Sequence, residues 1–291
     1  MLLSQGPTTP TAPDWFVRAL AHEATVRTIE VLGVEVSCRS WGVPGTRGVV
    51  LVHGGAAHAR WWDHVGPLLA ETHHVVALDL SGHGDSGHRD AYSLRTWAAE
   101  VMAVAAENVS AAPVVIGHSM GGMVALATAT WHGEDLAGVV VIDTPVHDAT
   151  PEEAAFRDKV AFGPRQVFAD RAELLARFRV VPAQETEGYI FHHIADHSIR
   201  KVEGGWAWKF DPAVFAHEPL RPGGLSRLAC PAAMLRPELG LVDATMGDML
   251  ADRLGVHVVD VPAAEHHIML DQPIALVTGL RALLARGGST E

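Results

Sequence analysis

Pro113-Val-Val-Ile-Gly117-His118-Ser119-Met120-Gly121-Gly122-Met-Val-Ala-Leu-Ala127 decides the fold. A short apolar run of strand character leads straight into Gly-x-Ser-x-Gly, and a helical run of small residues follows at once. Glycines two before and two after the serine permit a strained turn and let the helix pack close on the strand, so that the Ser119 hydroxyl projects at the sheet's carboxyl edge. The five-residue pattern alone would arise by chance in roughly one chain in ten. Its position between a strand and a helix is what carries the information.

Working outward, apolar runs bounded by turn signals recur along the chain: Thr25 to Val31 and Val34 to Ser40 around Gly33, Gly48 to His53, His74 to Asp79, Pro113 to Gly117, Gly138 to Asp143, Ala232 to Arg236 and Val256 to Val261. The first two read as a hairpin. The later ones, such as GVVLVH and GVVVID, are apolar without alternation, as strands buried on both faces of a parallel sheet must be. Helical patterns lie between them at about 60–70, 93–108, 120–132, 245–254 and 272–286. Alternation of strand and helix gives an α/β fold with right-handed crossovers. Residues 145–225 break the rhythm with helical pattern and no apolar strand run, and are expected to form a helical cap inserted after the sixth strand. The α/β core is then 14–144 and 226–286, with tails at 1–13 and 287–291. A cap of that length would shape a pocket and exclude water.

At 291 residues, 48% of them hydrophobic, the chain is long enough for a sizeable core. Its net charge of −12, with no Lys/Arg run longer than two, excludes the basic footprint of a nucleic-acid binder and makes an anionic membrane a poor partner. Cys38 and Cys230 form no CxxC, so neither a disulfide framework nor a thiolate zinc site is expected. The first residues carry no signal-peptide pattern and no apolar run reaches about 18 residues, so the expected location is cytoplasmic, as a monomer or homodimer. Histidine is the unusual count, at 18.

The motifs together resemble the α/β-hydrolase superfamily, from about residue 25 to 286. His53-Gly54-Gly55 resembles that family's oxyanion loop, Asp79-Leu-Ser-Gly82-His83-Gly84-Asp85-Ser86 its DxxGxGxS turn, Ser119 its nucleophile elbow, and His266-His267-Ile-Met-Leu-Asp-Gln-Pro273 its terminal histidine loop. The resemblance implies an eight-stranded, mostly parallel sheet flanked by helices and a serine hydrolase. It names no substrate.

Acyl transfer requires a serine whose proton is taken by an imidazole, itself oriented by a carboxylate. Ser119 is the candidate nucleophile and His266 the candidate base, seven residues before Pro273 as in the family pattern, with His267 as the second choice. The oxyanion donors matching the family are the backbone N–H groups of Gly55 and Met120. The carboxylate departs from the commonest pattern, because Gly240 stands where the acid after the seventh strand is expected. Asp143, at the end of the sixth strand, is the first candidate, Asp243 the second and Glu238 the third.

His193 and His197 share one helical face at a metal-ligand spacing, yet Ile194 stands where a zinc protease needs Glu, so no metal is expected. No nucleotide loop is present either, and no organic cofactor is expected. Trp61, Trp206 and Trp208 are candidate pocket walls, either lining an apolar substrate site or packing the cap. The expected function is hydrolysis, through an acyl-enzyme, of a carboxylic ester with small to medium apolar groups. Lactone opening and carbon–carbon bond hydrolysis use the same triad, and a non-catalytic ligand-binding protein on this fold is the remaining alternative.

Overall fold

The computed structural model describes residues 11–163 and 166–286, so the two terminal tails lie largely outside the described residues. Ten strands occur among them: β1 Thr25–Val31, β2 Val34–Trp41, β3 Gly48–Val52, β4 His74–Leu78, β5 Val114–His118, β6 Gly138–Ile142, β7 Ile199–Val202, β8 Gly205–Trp208, β9 Ala232–Leu239 and β10 His257–Glu265. Eight form one sheet in the order β1-β2-β4-β3-β5-β6-β9-β10. The β1–β2 and β2–β4 pairs are antiparallel and all the others parallel, which is the mostly parallel eight-stranded α/β sheet expected from the sequence.

Burial on both faces explains the unbroken apolar strands. In β3, Val50 and Val52 face a core completed by the helices Leu94–Asn108, Met120–His132 and Ala244–Leu254. Val49 and Leu51 face the opposite core, built with the helices Asp14–Ala21 and Pro273–Arg286. Helix Asp14–Ala21, which carries no signal in the sequence reading, sets Phe16 edge-on to Tyr189 at 4.8 Å between ring centroids. The helix expected at 60–70 is instead a 3₁₀ turn, Ala59–Trp62, and one helical turn, Gly66–Leu69. Gly66-Pro67 explains the break, since glycine is a poor helix residue and proline lacks the N–H.

From β3 the chain moves to β4 on one side, then crosses to β5 on the other. Ligand sites of open α/β sheets lie outside the carboxyl ends of the strands at such a reversal. Gly54 and Ser119 sit there, one residue or two beyond the ends of neighbouring strands.

Among the described residues, the chain between β6 and β9 contributes no strand to this sheet. It carries the helices Pro151–Ala161, Arg171–Leu175 and Gly188–His197, and it also contains the antiparallel pair β7–β8, which corrects the purely helical expectation for 145–225. The pairing matches Ile199 with Trp208 and Val202 with Gly205 across a tight turn. Gly204, between the paired ends, supplies the positive φ of 82° that the turn requires. Four-residue strands with mixed polarity leave too little periodicity to betray such a hairpin.

Candidate active site

Ser119 follows β5 directly and opens the helix Met120–His132 with φ 55° and ψ −121°, a strained backbone for a side chain with a Cβ. Three glycines make the turn possible by removing side chains. A Cβ on Gly117 would strike the Gly121 carbonyl, one on Gly121 the His53 carbonyl, and one on Gly122 the Thr144 hydroxyl. Gly122 and Met123 donate their N–H groups to the Ser119 carbonyl, which closes the first helical turn.

His266 follows β10 and is buried, with its Nδ1–H donating to Asp143 Oδ2 at 2.6 Å. Because a carboxylate only accepts, this bond fixes the proton on Nδ1 and leaves Nε2 as the basic nitrogen. Asp143 stands just past β6, with φ 42°, and is fully buried. Its oxygens also accept the N–H groups of Leu241 at 2.8 Å and Val242 at 2.9 Å. The backbone after β9 thus holds the carboxylate toward the imidazole. Gly240 leaves the room for it, since a Cβ there would stand 2.5 Å from Asp143 Oδ2. Asp243 instead caps the helix Ala244–Leu254 by accepting the Met246 N–H at 2.8 Å, and Glu238 accepts the exposed Ala263 N–H at 2.8 Å.

A ring of buried histidines holds the surrounding loops. His118 Nε2–H donates to the His266 carbonyl at 2.9 Å, and His267 faces the Val181 carbonyl through Nε2 at 3.1 Å. His53 donates through Nδ1 to the Gly54 carbonyl at 2.8 Å and accepts the Leu80 N–H on Nε2 at 3.1 Å. Burial pushes His53 down to about 4 and His267 to about 3, and drives His118 and His83 well below the usual imidazole range, so all four are neutral. Asp79 ties the Ala59 N–H, at 2.6 Å, to the Asp85 N–H, at 2.9 Å, and burial raises its carboxyl to about 6. The histidines of the motifs are therefore mostly struts. His53, His83, His118 and His267 carry no charge.

Gly55 and Met120 line the same cavity as Ser119, and neither backbone N–H donates to another described residue. The cavity measures about 450 Å³ and is walled by Trp61, His118, His266, His267, Trp208 and Phe215 among others. Trp206, expected on the same wall, does not line it. It lies on the same face of β8 as Trp208 but one residue from the hairpin turn, where Arg171 covers its ring at 5.7 Å and Phe168 pairs with its backbone. The sequence reading missed Phe178 and Phe215, and also Arg157, Arg177 and Arg179, all of which line the cavity from the segment between β6 and β9. Arg157 lies on the helix Pro151–Ala161, and the rest on loops and short turns with no periodicity that would have marked them.

His193 and His197 do not converge on a vacant point. His193 Nε2 bonds Asp63 Oδ2 at 3.0 Å and His197 Nδ1 bonds the His193 carbonyl at 2.7 Å. Among the described residues, histidine nitrogens come within 4.8 Å of one another at His118, His266 and His267 instead. Each of these rings has already committed a nitrogen, His118 to the His266 carbonyl, His266 to Asp143 and His267 to the Val181 carbonyl.

A sequence model described as "Alpha/beta hydrolase family" matches residues 49–279. The chain belongs to that family. This α/β hydrolase is 28% identical to an esterase of Mycobacterium tuberculosis, Rv0045c, over 266 residues, 86% of each chain. A pimeloyl-[acyl-carrier protein] methyl ester esterase of Klebsiella pneumoniae is 30% identical over 141 residues, 48% of this chain and 53% of that one. The hydrolase is an enzyme of the esterase type. In fold it is similar to E-2-(acetamidomethylene)succinate hydrolase, with a TM-score of 0.77 at 19% identity, covering 90% of this chain and 100% of that one. A thioesterase domain from the curacin biosynthetic pathway superposes with a TM-score of 0.74 at 23% identity, covering 89% and 99%. No helix among the described residues is long and apolar enough to cross a membrane.

Proposed function

We propose that the protein hydrolyses a carboxylic ester through an acyl-enzyme on Ser119, with His266 as base and acid and Asp143 as the orienting carboxylate. The observation that carries this reading is the 2.6 Å bond from His266 Nδ1–H to a buried Asp143, which leaves Nε2 free beside a cavity that Ser119 also lines. His266 Nε2 takes the Ser119 proton as Oγ bonds to the ester carbonyl carbon. The negative oxygen that forms is met by the N–H groups of Gly55 and Met120. Collapse breaks the bond to the alcohol oxygen, which leaves with the proton from His266. A water then adds to the acyl carbonyl by the same proton route and releases the acid and Ser119.

The segment 145–225 acts as a cap over the site, because Phe178, Val180 and Trp208 close the cavity from it. These apolar walls suit an acyl or alkyl group of small to medium size. The esterase names of the two relatives support an ester over a lactone or a carbon–carbon bond. Hydrolysis of nitrophenyl esters of rising acyl length, set beside lactones of matched size, tests the reading. Ester turnover that peaks at short to medium chains is expected, and turnover of lactones alone would overturn it.

A further inference from the structure

Among the described residues, the cavity above Ser119 is lined by three arginines, Arg157, Arg177 and Arg179, and by no aspartate or glutamate. In a chain of net charge −12 this is a local inversion of sign. Arg177 is neutralised, since its Nη2 pairs with Glu173 at 3.1 Å on the exposed surface. The other two are not. Arg179 donates from Nη1 to the Ala176 carbonyl at 2.9 Å and to the Phe178 carbonyl at 2.6 Å, partners that orient a guanidinium without cancelling its charge. Arg157, half-buried on the helix Pro151–Ala161, keeps a buried Nε with no hydrogen-bond partner, and no ion pair of either residue occurs among the described residues. A desolvated cationic donor left unpaired is costly. A planar fork of N–H donors matches a carboxylate or phosphate edge-on.

We infer that the ester this site takes carries an anionic group, a carboxylate or a phosphate, remote from the scissile carbonyl, and that Arg157 and Arg179 bind it. The inference rests on the ester-hydrolase reading of the same cavity. One cavity is lined by Ser119, by the apolar Val160, Phe178 and Val180, and by the arginines, so a single substrate can meet all three. Positive charge in the cavity gives a negatively charged substrate a local attraction that the acidic surface lacks.

The test compares nitrophenyl hexanoate with the mono-nitrophenyl ester of adipic acid, which differ by a methyl against a carboxylate at the same distance from the ester. Wild type is expected to favour the adipate ester by about tenfold or more in kcat/KM, the size of one charge-assisted hydrogen bond, chiefly through KM. The preference is expected to shrink in 0.5 M salt, to collapse in Arg157→Gln and Arg179→Gln, and to survive in part in Arg157→Lys. Competitive inhibition by hexanoate and by hexyl phosphate, with hexanol as the neutral control, then separates carboxylate from phosphate. Equal turnover of the two esters, or preference for hexanoate, overturns the inference. Binding of the same three inhibitors followed by tryptophan fluorescence needs no turnover. Anion-selective binding with every ester left intact would therefore refute the ester reading alone, and binding of hexanol as tight as that of both anions would refute this one.

Discussion

The carboxylate of Asp143 fills the space that a side chain on Gly240 would occupy: a Cβ there would come within 2.7 Å of Cγ and of both oxygens. The two positions end neighbouring strands, β6 and β9, and only one of them has room for an acid. With glycine after β9, the N–H groups of Leu241 and Val242 turn inward and grip the carboxylate that β6 supplies. The departure at Gly240 and the acid at Asp143 are two halves of one arrangement.

Exchange of the two positions should therefore be partly tolerated. Asp143→Ala is expected to lower kcat by on the order of 10⁴, the loss seen when a triad carboxylate fails to hold the base. Adding Gly240→Asp to that variant is expected to restore at least about tenfold of it. Gly240→Ala alone should impair kcat, by pressing on the carboxylate. Steady-state kinetics of the variants decide this, and no recovery in the double variant would show that the position after β9 cannot present an acid to His266.

His118 is expected to position the base. Its Nε2–H satisfies the buried His266 carbonyl, and loss of such a donor costs about 1–3 kcal/mol. His118→Leu should lower kcat by about tenfold with KM little changed, and should lower the melting temperature. A rise in KM with kcat unchanged would place His118 in substrate binding instead.

Acid should destabilise the fold before it protonates the surface carboxylates. His53 and His64 are held neutral at about 4 by burial, whereas in the unfolded chain they titrate near 6.5. Between those values the unfolded state binds more protons, so stability is full above about pH 6.5 and falls as pH drops toward 4, by about 1.4 kcal/mol per pH unit for each fully linked group. Asp79, raised to about 6, has the opposite sign, and its single contribution offsets only part of the loss. Thermal melts from pH 7.5 to 5 should show a steady decline, and a flat profile would show that these histidines become solvated and charged without unfolding.

Trp208 is expected to limit acyl length. It closes the cavity beside Phe178, their rings 6.1 Å apart. Trp208→Ala should move the preferred nitrophenyl ester toward longer chains, whereas Trp206→Ala, outside the cavity, should leave the preferred length in place.

The sequence makes the fold legible because its decisive features are local. Continuous apolar strands, the glycines about Ser119 and the DxxGxGxS turn each state their own geometry. The pairing of His266 with Asp143 is non-local, spanning 123 residues, and a glycine at 240 announces a missing acid without saying where its replacement stands. The region between β6 and β9 is least legible, because its short hairpin and arginine-bearing loop follow tertiary packing and carry no periodicity. Trp206 and Trp208 share one face of a strand, and their packing differs: Arg171 covers Trp206, whereas Trp208 stands beside Phe178 on the cavity wall.

Labelling with a fluorophosphonate, followed by location of the adduct by peptide mass spectrometry, tests the central claim most directly. A single adduct on Ser119, its loss together with ester turnover in Ser119→Ala, and much slower labelling in His266→Ala are expected. An adduct on another residue, or full turnover in Ser119→Ala, would contradict the account.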